Sequence, residues 1–415
     1  MKKIFLGVCL SILGAVIFGQ NAKVVGYFPS YRFASTAQVE YCRLTHLNLC
    51  FANPDSAGNI LMPDISSVMS DALSENPDII ICISLAGGGL TSQQADDWAN
   101  LIDIPANRPA FISRIVDYVL ANNLDGVDVD LEWDHVTAGY SDFVMELDTA
   151  LSPYDMILSA AFPNQTLFAN VSDAALEAFD FINIMSYDAT GPWRPSSPGQ
   201  HSSYTYSANG INFWINSAGV PGEKLTLGVP FYGYDFTSST TANAFTYGSM
   251  VQKDESYADL DQVGTAYYNG RPTIESKVNL ANDEVGGIMI WELGQDSFDD
   301  YSLLKTIHEK YTSLEVLTSG LCGNVLPSAI LRKEIRDTYK LYPNPASDYL
   351  IIKYESARAP EVIVSNSLGQ IVSVESVQHN GHELHLDLKN LQSGVYFIMI
   401  MDEVQGPTMQ KFVVN

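Results

Sequence analysis

From Lys23 onward the chain alternates short apolar runs with longer stretches whose apolar residues recur every three or four positions. The eight short runs are 24–28, 46–51, 78–86, 126–132, 156–162, 181–188, 225–231 and 287–292. Runs of this length suit strands covered on both faces. The stretches between them have helical spacing. In 105–124, Phe111, Ile115, Val116, Val119 and Leu120 form one apolar stripe. Further helices are expected at 66–76, 140–151, 171–179, 204–218, 273–282 and 302–312. Eight strand–helix units in about 290 residues match a closed (β/α)8 TIM barrel, an α/β fold, in count and size. An open doubly wound sheet would call for a phosphate-binding glycine loop after an early strand. Ala86-Gly87-Gly88-Gly89 has neither the G-x-G-x-x-G spacing nor a P-loop lysine.

The pattern changes after residue 312. Residues 313–340 read as a linker, with a short helix near 331–338. Beyond it come only strand-like pieces, at 349–354, 361–365, 370–374, 383–388, 394–401 and 411–414, separated by turn residues. This is the pattern of a small all-β, immunoglobulin-like sandwich over 341–415. At the other end, Lys2 and Lys3 precede an apolar run over 4–18. A charged start and a run too short to span a bilayer read as a signal peptide over 1–20. The barrel is then expected over 21–312.

Composition narrows the partners. The net charge is −26, which excludes nucleic acid and anionic membranes as partners and leaves a neutral polymer acceptable. The mature chain keeps Cys42, Cys50, Cys82 and Cys322, too few for a disulfide framework. Cys50 and Cys82 fall in apolar runs and are expected to be buried thiols.

The candidate chemistry sits on the fourth run. In Asp125-Gly126-Val127-Asp128-Val129-Asp130-Leu131-Glu132, alternate residues share a face, so Asp128, Asp130 and Glu132 point one way and Val127, Val129 and Leu131 the other. Carboxyls crowded on the inner face of a barrel strand cannot all ionise cheaply, so a proton should be retained near neutral pH. A glutamate held protonated is what a general acid requires. A solvated edge strand and a Ca²⁺ or Mg²⁺ site are the competing readings. The apolar alternate face speaks against the first, and the lack of a nearby oxygen-rich loop against the second.

The segment 125–132 resembles the D-x-x-D-x-D-x-E signature of family 18 glycoside hydrolases, the chitinase family. Val24-Val25-Gly26-Tyr27-Phe28-Pro29-Ser30, residues 45–52, Met185-Ser186-Tyr187-Asp188 and Gly287-Ile288-Met289-Ile290-Trp291 resemble other strands of that family. The likeness spans about residues 23–312. It implies substrate-assisted hydrolysis of N-acetylglucosamine polymers, in which the sugar's own acetamido oxygen attacks the anomeric carbon. Glu132 would be the acid and then the base, Asp130 would hold the acetamido N–H, and Asp128 would share a proton with Asp130. Tyr187 would align the acetamido oxygen, and Trp291 would floor the sugar. Tyr27, Phe51, Trp133, Met185, Asp188 and Trp193 are further candidates for substrate binding. The resemblance implies no cofactor and no metal. Trp98, Trp214 and His46 are expected to be structural.

Two departures from the family pattern stand out. The third strand usually carries S-x-G-G, whereas Ser84-Leu85-Ala86-Gly87-Gly88 is shifted, which puts a role for Ser84 in doubt. Tyr234 stands where many members have a substrate-binding arginine. Many members also insert a sizeable domain between strands seven and eight. Only about 55 residues separate Phe231 from Gly287, so the cleft is expected to be shallow and open, which favours internal cleavage.

In the C-terminal segment, 341–346, 367–370, 393–396 and 411–415 resemble the sorting domain of type IX secretion cargo. No tryptophan falls there, against a carbohydrate-binding module. The expected protein is a secreted, retaining endo-chitinase without a membrane anchor in its mature form, exported by secretion machinery that reads the C-terminal domain. An endo-β-N-acetylglucosaminidase acting on N-glycan cores and a non-catalytic chitinase-like lectin are the alternatives.

Overall fold

The computed structural model describes residues 22–316, 318, 339–354, 361–366, 371–372, 374–379, 382–402 and 406–414. The signal peptide and the linker helix expected near 331–338 lie outside them. The chain divides into two compact units, the boundary falling between Asn324 and Val325.

The first unit is the barrel. Its strands are β1 (Lys23–Pro29), β2 (His46–Pro54), β3 (Ile80–Ala86), β4 (Gly126–Asp130), β5 (Ile157–Pro163), β6 (Phe181–Met185), β7 (Leu225–Pro230) and β8 (Gly287–Trp291). Neighbours pair parallel in chain order, and β1 pairs with both β2 and β8, which closes the ring. The outward residues Val127, Val129, Leu158, Ile182 and Ile288 are fully buried with Trp98, Phe111, Phe143 and Trp214 from the helices. Trp98 and Trp214 are structural as expected. Each indole N–H is satisfied inside the protein, by Asn53 Oδ1 at 2.8 Å and by the Pro163 carbonyl at 3.1 Å. His46 is buried beside Thr45, whose Oγ1 is 2.6 Å from its Nδ1. Cys50 and Cys82 are free and buried as expected, while Cys42 is disulfide-bonded.

Helices form at Ser66–Glu75, Arg108–Ala121, Tyr140–Leu151, Asp173–Ala178, Tyr204–Asn216, Arg271–Glu284 and Leu303–Ser313, each overlapping an expected one. Two further helices, Ser92–Ile102 and the short Tyr247–Val251, escaped the apolar pattern, the first because its solvent face is polar through Gln93, Gln94 and Asp96 and it has few apolar residues. The longer of them is Ser92–Ile102. Its start is fixed by a capping box, with Thr91 accepting from the Gln94 amide and Gln94 reaching back to Thr91.

The interval between β7 and β8 is short but structured. It holds a four-stranded antiparallel sheet in the order Thr241–Thr246, Tyr232–Ser238, Ala266–Tyr267, Gln262–Val263. Alternation places Tyr232, Tyr234 and Phe236 on one face, and they pack with Tyr27, Tyr187 and Met289 from the barrel. The insert is small, yet it builds a wall on one side of the barrel mouth.

The second unit is a sandwich of two four-stranded antiparallel sheets. Leu350, Ile352, Leu384 and Leu386 from one sheet share a core with Val364, Ile398, Ile400 and Phe412 from the other.

Candidate active site

The parallel register sets Ser84, Asp128 and Ser159 side by side on β3, β4 and β5. Asp128 is fully buried, and each of its oxygens is taken twice. Tyr27 Oη and Ser84 Oγ donate to Oδ2 at 2.8 and 2.6 Å. Ser159 Oγ and Asn183 Nδ2 donate to Oδ1 at 2.6 and 3.3 Å. Thr226 Oγ1 fixes Asn183 in turn, at 2.6 Å from its Oδ1. Burial pushes the Asp128 carboxyl up, and these four donors pull it back. Each Asp128 oxygen is thus met by two protein donors, while burial still leaves the carboxyl raised on balance. Ser84, whose role the shifted motif put in doubt, is one of the donors.

Asp130 contrasts with its neighbour. It is buried, and its Oδ1 has no hydrogen-bond partner among the described residues. Burial, then the Glu132 carboxylate, then Asp128 hold its carboxyl well above the usual range. Glu132 follows the end of β4 in extended geometry, with φ −119° and ψ 152°. Burial first, and the Asp188 carboxylate next, push it up to about 7. Both carboxyls are thus raised, and the Glu132 charge bears on Asp130, so the two titrate together.

The loop after β3 makes room for this pair. Gly87 has φ +84°, and a Cβ there would lie 2.5 Å from the Phe51 ring. A Cβ on Gly88 would lie 2.5 Å from Glu132 Oε1. The Gly87 N–H donates to the Asp130 carbonyl at 2.9 Å. The shifted glycine pair thus still packs against the acid.

At the end of β6, Asp188 turns into the left-handed region at φ +64°. Its Oδ1 accepts from Tyr232 Oη at 2.5 Å and from Tyr234 Oη at 2.9 Å. The Asp188 N–H donates to His201 Nδ1 at 3.3 Å, and His201 Nε2 lies 3.2 Å from the Tyr232 carbonyl. An amide N–H can only donate, so Nδ1 is the bare nitrogen and Nε2 carries the hydrogen. The 3.4 Å contact between Nδ1 and Asp188 Oδ1 is then a close approach and not an ion pair.

Aromatic rings line the rest. Trp291 stacks on Phe51 at 5.6 Å and lies 5.9 Å from Tyr27. Tyr187 is buried, and half-buried Met185 packs into the same cluster. Among the described residues Tyr187 Oη finds only the Met289 sulfur, at 3.8 Å, which leaves its donor lightly used. Trp133 and Trp193 are 57% and 60% exposed, rims rather than core. Trp133 meets Phe168 edge to face and Trp193 meets Tyr234. Among the described residues no group of three or more His, Cys, Asp or Glu side chains is arranged to hold a metal ion.

The family model for glycosyl hydrolases family 18 matches residues 23–296, two thirds of the chain and every barrel strand. The chain belongs to this family. It is a glycoside hydrolase with a C-terminal secretion sorting domain, whose own model matches residues 340–415. The structure is similar to that of a family 18 chitinase, ChiB, from the chitin utilization locus of Flavobacterium johnsoniae. That likeness has 53% identity and a TM-score of 0.72, covering 74% of this chain and 98% of that one. A chitinase from Bacteroides thetaiotaomicron aligns at 26% identity and a TM-score of 0.60, over 70% of this chain and 96% of that one. Among curated proteins, probable chitinase 10 of Drosophila melanogaster is 28% identical over 295 residues, 54% of this chain but only 13% of that protein. Chitinase A1 of Niallia circulans is 24% identical, over 71% of this chain and 61% of that one. No helix among the described residues is long and apolar enough to cross a membrane.

Within this glycoside hydrolase the structure adds residues that sequence reasoning passed over. Ser159, Asn183 and Thr226 join Ser84 around Asp128, and His201 joins Tyr232 and Tyr234, the latter already singled out at the arginine position, around Asp188. The signal for the first group was present: a single polar residue at similar depth in each of several apolar runs.

Proposed function

We propose that the protein is a secreted, retaining endo-chitinase that cleaves β-1,4 bonds between N-acetylglucosamine units with help from the substrate's acetamido group. The observation that carries this reading is the unpartnered, buried Asp130 Oδ1 beside a glutamate raised to about 7. A buried acceptor without a donor is costly, and a substrate amide N–H supplies the donor. The acetamido oxygen then attacks the anomeric carbon, while Glu132 gives its proton to the departing glycosidic oxygen. Tyr187 Oη, lightly used in the free protein, donates to the acetamido group and aligns it. The oxazolinium cation forms against Asp130 and the fixed charge of Asp128. Glu132, now a carboxylate, takes a proton from water as the water adds to the same carbon and breaks its bond to the acetamido oxygen, which restores the acetamido group and retains the configuration. Trp291 with Phe51 forms an apolar floor for the sugar, and Trp133, Trp193 and Asp188 lie where neighbouring sugars would pass.

The interval between β7 and β8, too short for a further domain, supports a cleft open at its ends and internal cleavage. The sorting domain supports export through the type IX route, with removal of 1–20 on the way and of the C-terminal domain at the surface, the linker over 313–340 being the place of release. Hydrolysis of chitin oligosaccharides, followed by NMR of the fresh anomer beside a high-mannose glycoprotein control, tests the reaction. Initial β-anomer from internal bonds of the oligosaccharides is expected. Release of glycan from the glycoprotein alone would move the substrate to N-glycan cores, and initial α-anomer would sink the mechanism. Intact-mass analysis of the secreted protein tests the processing, and a mature form retaining 411–415 would oppose it.

A further inference from the structure

A buried ammonium stands behind the end of β6, outside the machinery just described. Lys277, midway along the helix Arg271–Glu284, is fully buried. Its Nζ donates at 2.7 Å to three oxygens: the Ser202 carbonyl, Ser202 Oγ and Asn269 Oδ1. All three are neutral, so no carboxylate contact compensates for the charge. Asn269 Nδ2 donates to the Ser202 carbonyl as well, at 3.0 Å. Ser202 Oγ, while accepting from Lys277, donates to the Ser186 carbonyl at 2.5 Å. Ser186 is followed directly by Tyr187 and Asp188, and its own hydroxyl is held by Ser207 Oγ at 2.9 Å. Neighbouring His201 takes the Asp188 amide on one nitrogen and the Tyr232 carbonyl on the other. The loop between β6 and the helix Tyr204–Asn216 is thus tied to the turn that carries Tyr187 and Asp188, and the tie ends on one charged group.

We propose that Lys277 is a positioning residue for the hydrolytic reaction, acting through Ser202 and the Ser186 carbonyl to hold Tyr187 and Asp188 against Glu132. This rests on the role given above to Tyr187 and Asp188. Charge-assisted hydrogen bonds are shorter and stronger than neutral ones, which suits a single group that must fix both the backbone and the side chain of Ser202. Burial pushes the ammonium down to about 7, and the Asp261 charge opposes that.

Steady-state kinetics on a chitin oligosaccharide test the assignment in a double-mutant cycle with Asp188→Asn. Lys277→Met, checked for folding by near-ultraviolet circular dichroism, is expected to lower kcat roughly 10- to 100-fold, as a small displacement of positioned groups does. KM is expected to stay within about threefold of the parent, because ground-state contacts remain. In the Asp188→Asn background the same substitution is expected to cost less, since one of the two groups it positions is already disabled. Ser202→Thr, which keeps the hydroxyl, is expected to retain activity that Ser202→Ala loses. Should Lys277→Met fail to fold, Ser202→Ala takes its place in the cycle with the same expected pattern. An equal loss in both backgrounds, or a folded variant with parental kcat, overturns the proposal. A parent that turned over no N-acetylglucosamine oligomer would instead overturn the hydrolase reading, and this inference with it.

Discussion

Ser84 Oγ donates to Asp128 Oδ2 across 2.6 Å, from the neighbouring position in the parallel ladder. The acceptor is fully buried, so a donor removed here is not replaced by water. Ser84→Ala is therefore expected to destabilise the barrel by about 1.5–3 kcal/mol, the range for hydrogen bonds to charged groups. Urea unfolding at neutral pH measures it. Ser159→Ala should behave alike, because its hydroxyl holds the other oxygen at the same distance. A loss below about 0.5 kcal/mol, the level of an ordinary surface change, would mean that Asp128 does not depend on these donors.

The pH profile follows from Glu132. A general acid must carry its proton, and burial with the Asp188 charge raises this carboxyl to about 7. Activity should be full on the acid side of that value and fall as pH rises through it. Asp188→Asn removes a negative charge that favours the protonated form. The Glu132 pKa then drops, and the alkaline limb of kcat/KM moves to lower pH. A limb that stayed in place in the variant would show that Asp188 does not set the acid.

Gly88 tests the geometry of the same residue from the other side. A Cβ there would stand 2.5 Å from Glu132 Oε1, closer than any real contact, so the carboxyl has to move. Gly88→Ala is expected to lower kcat by about 100-fold, the scale of a 1 Å misplacement, while the unfolding midpoint stays near that of the parent. Parental turnover in this variant would mean that the loop yields instead of the acid.

Much of the barrel was legible because its strands are covered on both faces, and continuous apolar runs such as those at β1, β2 and β8 have few other uses. The acidic strand was legible because alternation is local: Asp128, Asp130 and Glu132 fix their common face without help from any other segment. Their partners were not. Ser84, Ser159 and Asn183 reach Asp128 through the register of three other strands, and register is a long-range property that a single run does not encode. The wall between β7 and β8 escaped for a different reason. Its strands are short, and Tyr232, Tyr234 and Phe236 face inward at a spacing that a continuation of β7 would share. The helix Ser92–Ile102 escaped because only Trp98, Leu101 and Ile102 mark its apolar face.

Glu132→Gln separates cutting from binding. Gln keeps the shape of the side chain and removes the proton donor, so the loss should be confined to proton transfer. Hydrolysis of chitin oligosaccharides is expected to fall by about 10²- to 10⁴-fold, the typical contribution of a positioned acid–base group. Binding should survive, because Asp130 Oδ1 and the Trp291–Phe51 floor are untouched by the change. Isothermal titration of the variant with an uncleaved oligosaccharide measures this second part. Tight binding with hydrolysis lost supports the acid role. Tight binding with hydrolysis unchanged would transfer the proton to another group, and Asp130, the other carboxyl held well above its usual range, is the candidate that an Asp130→Asn variant would then examine.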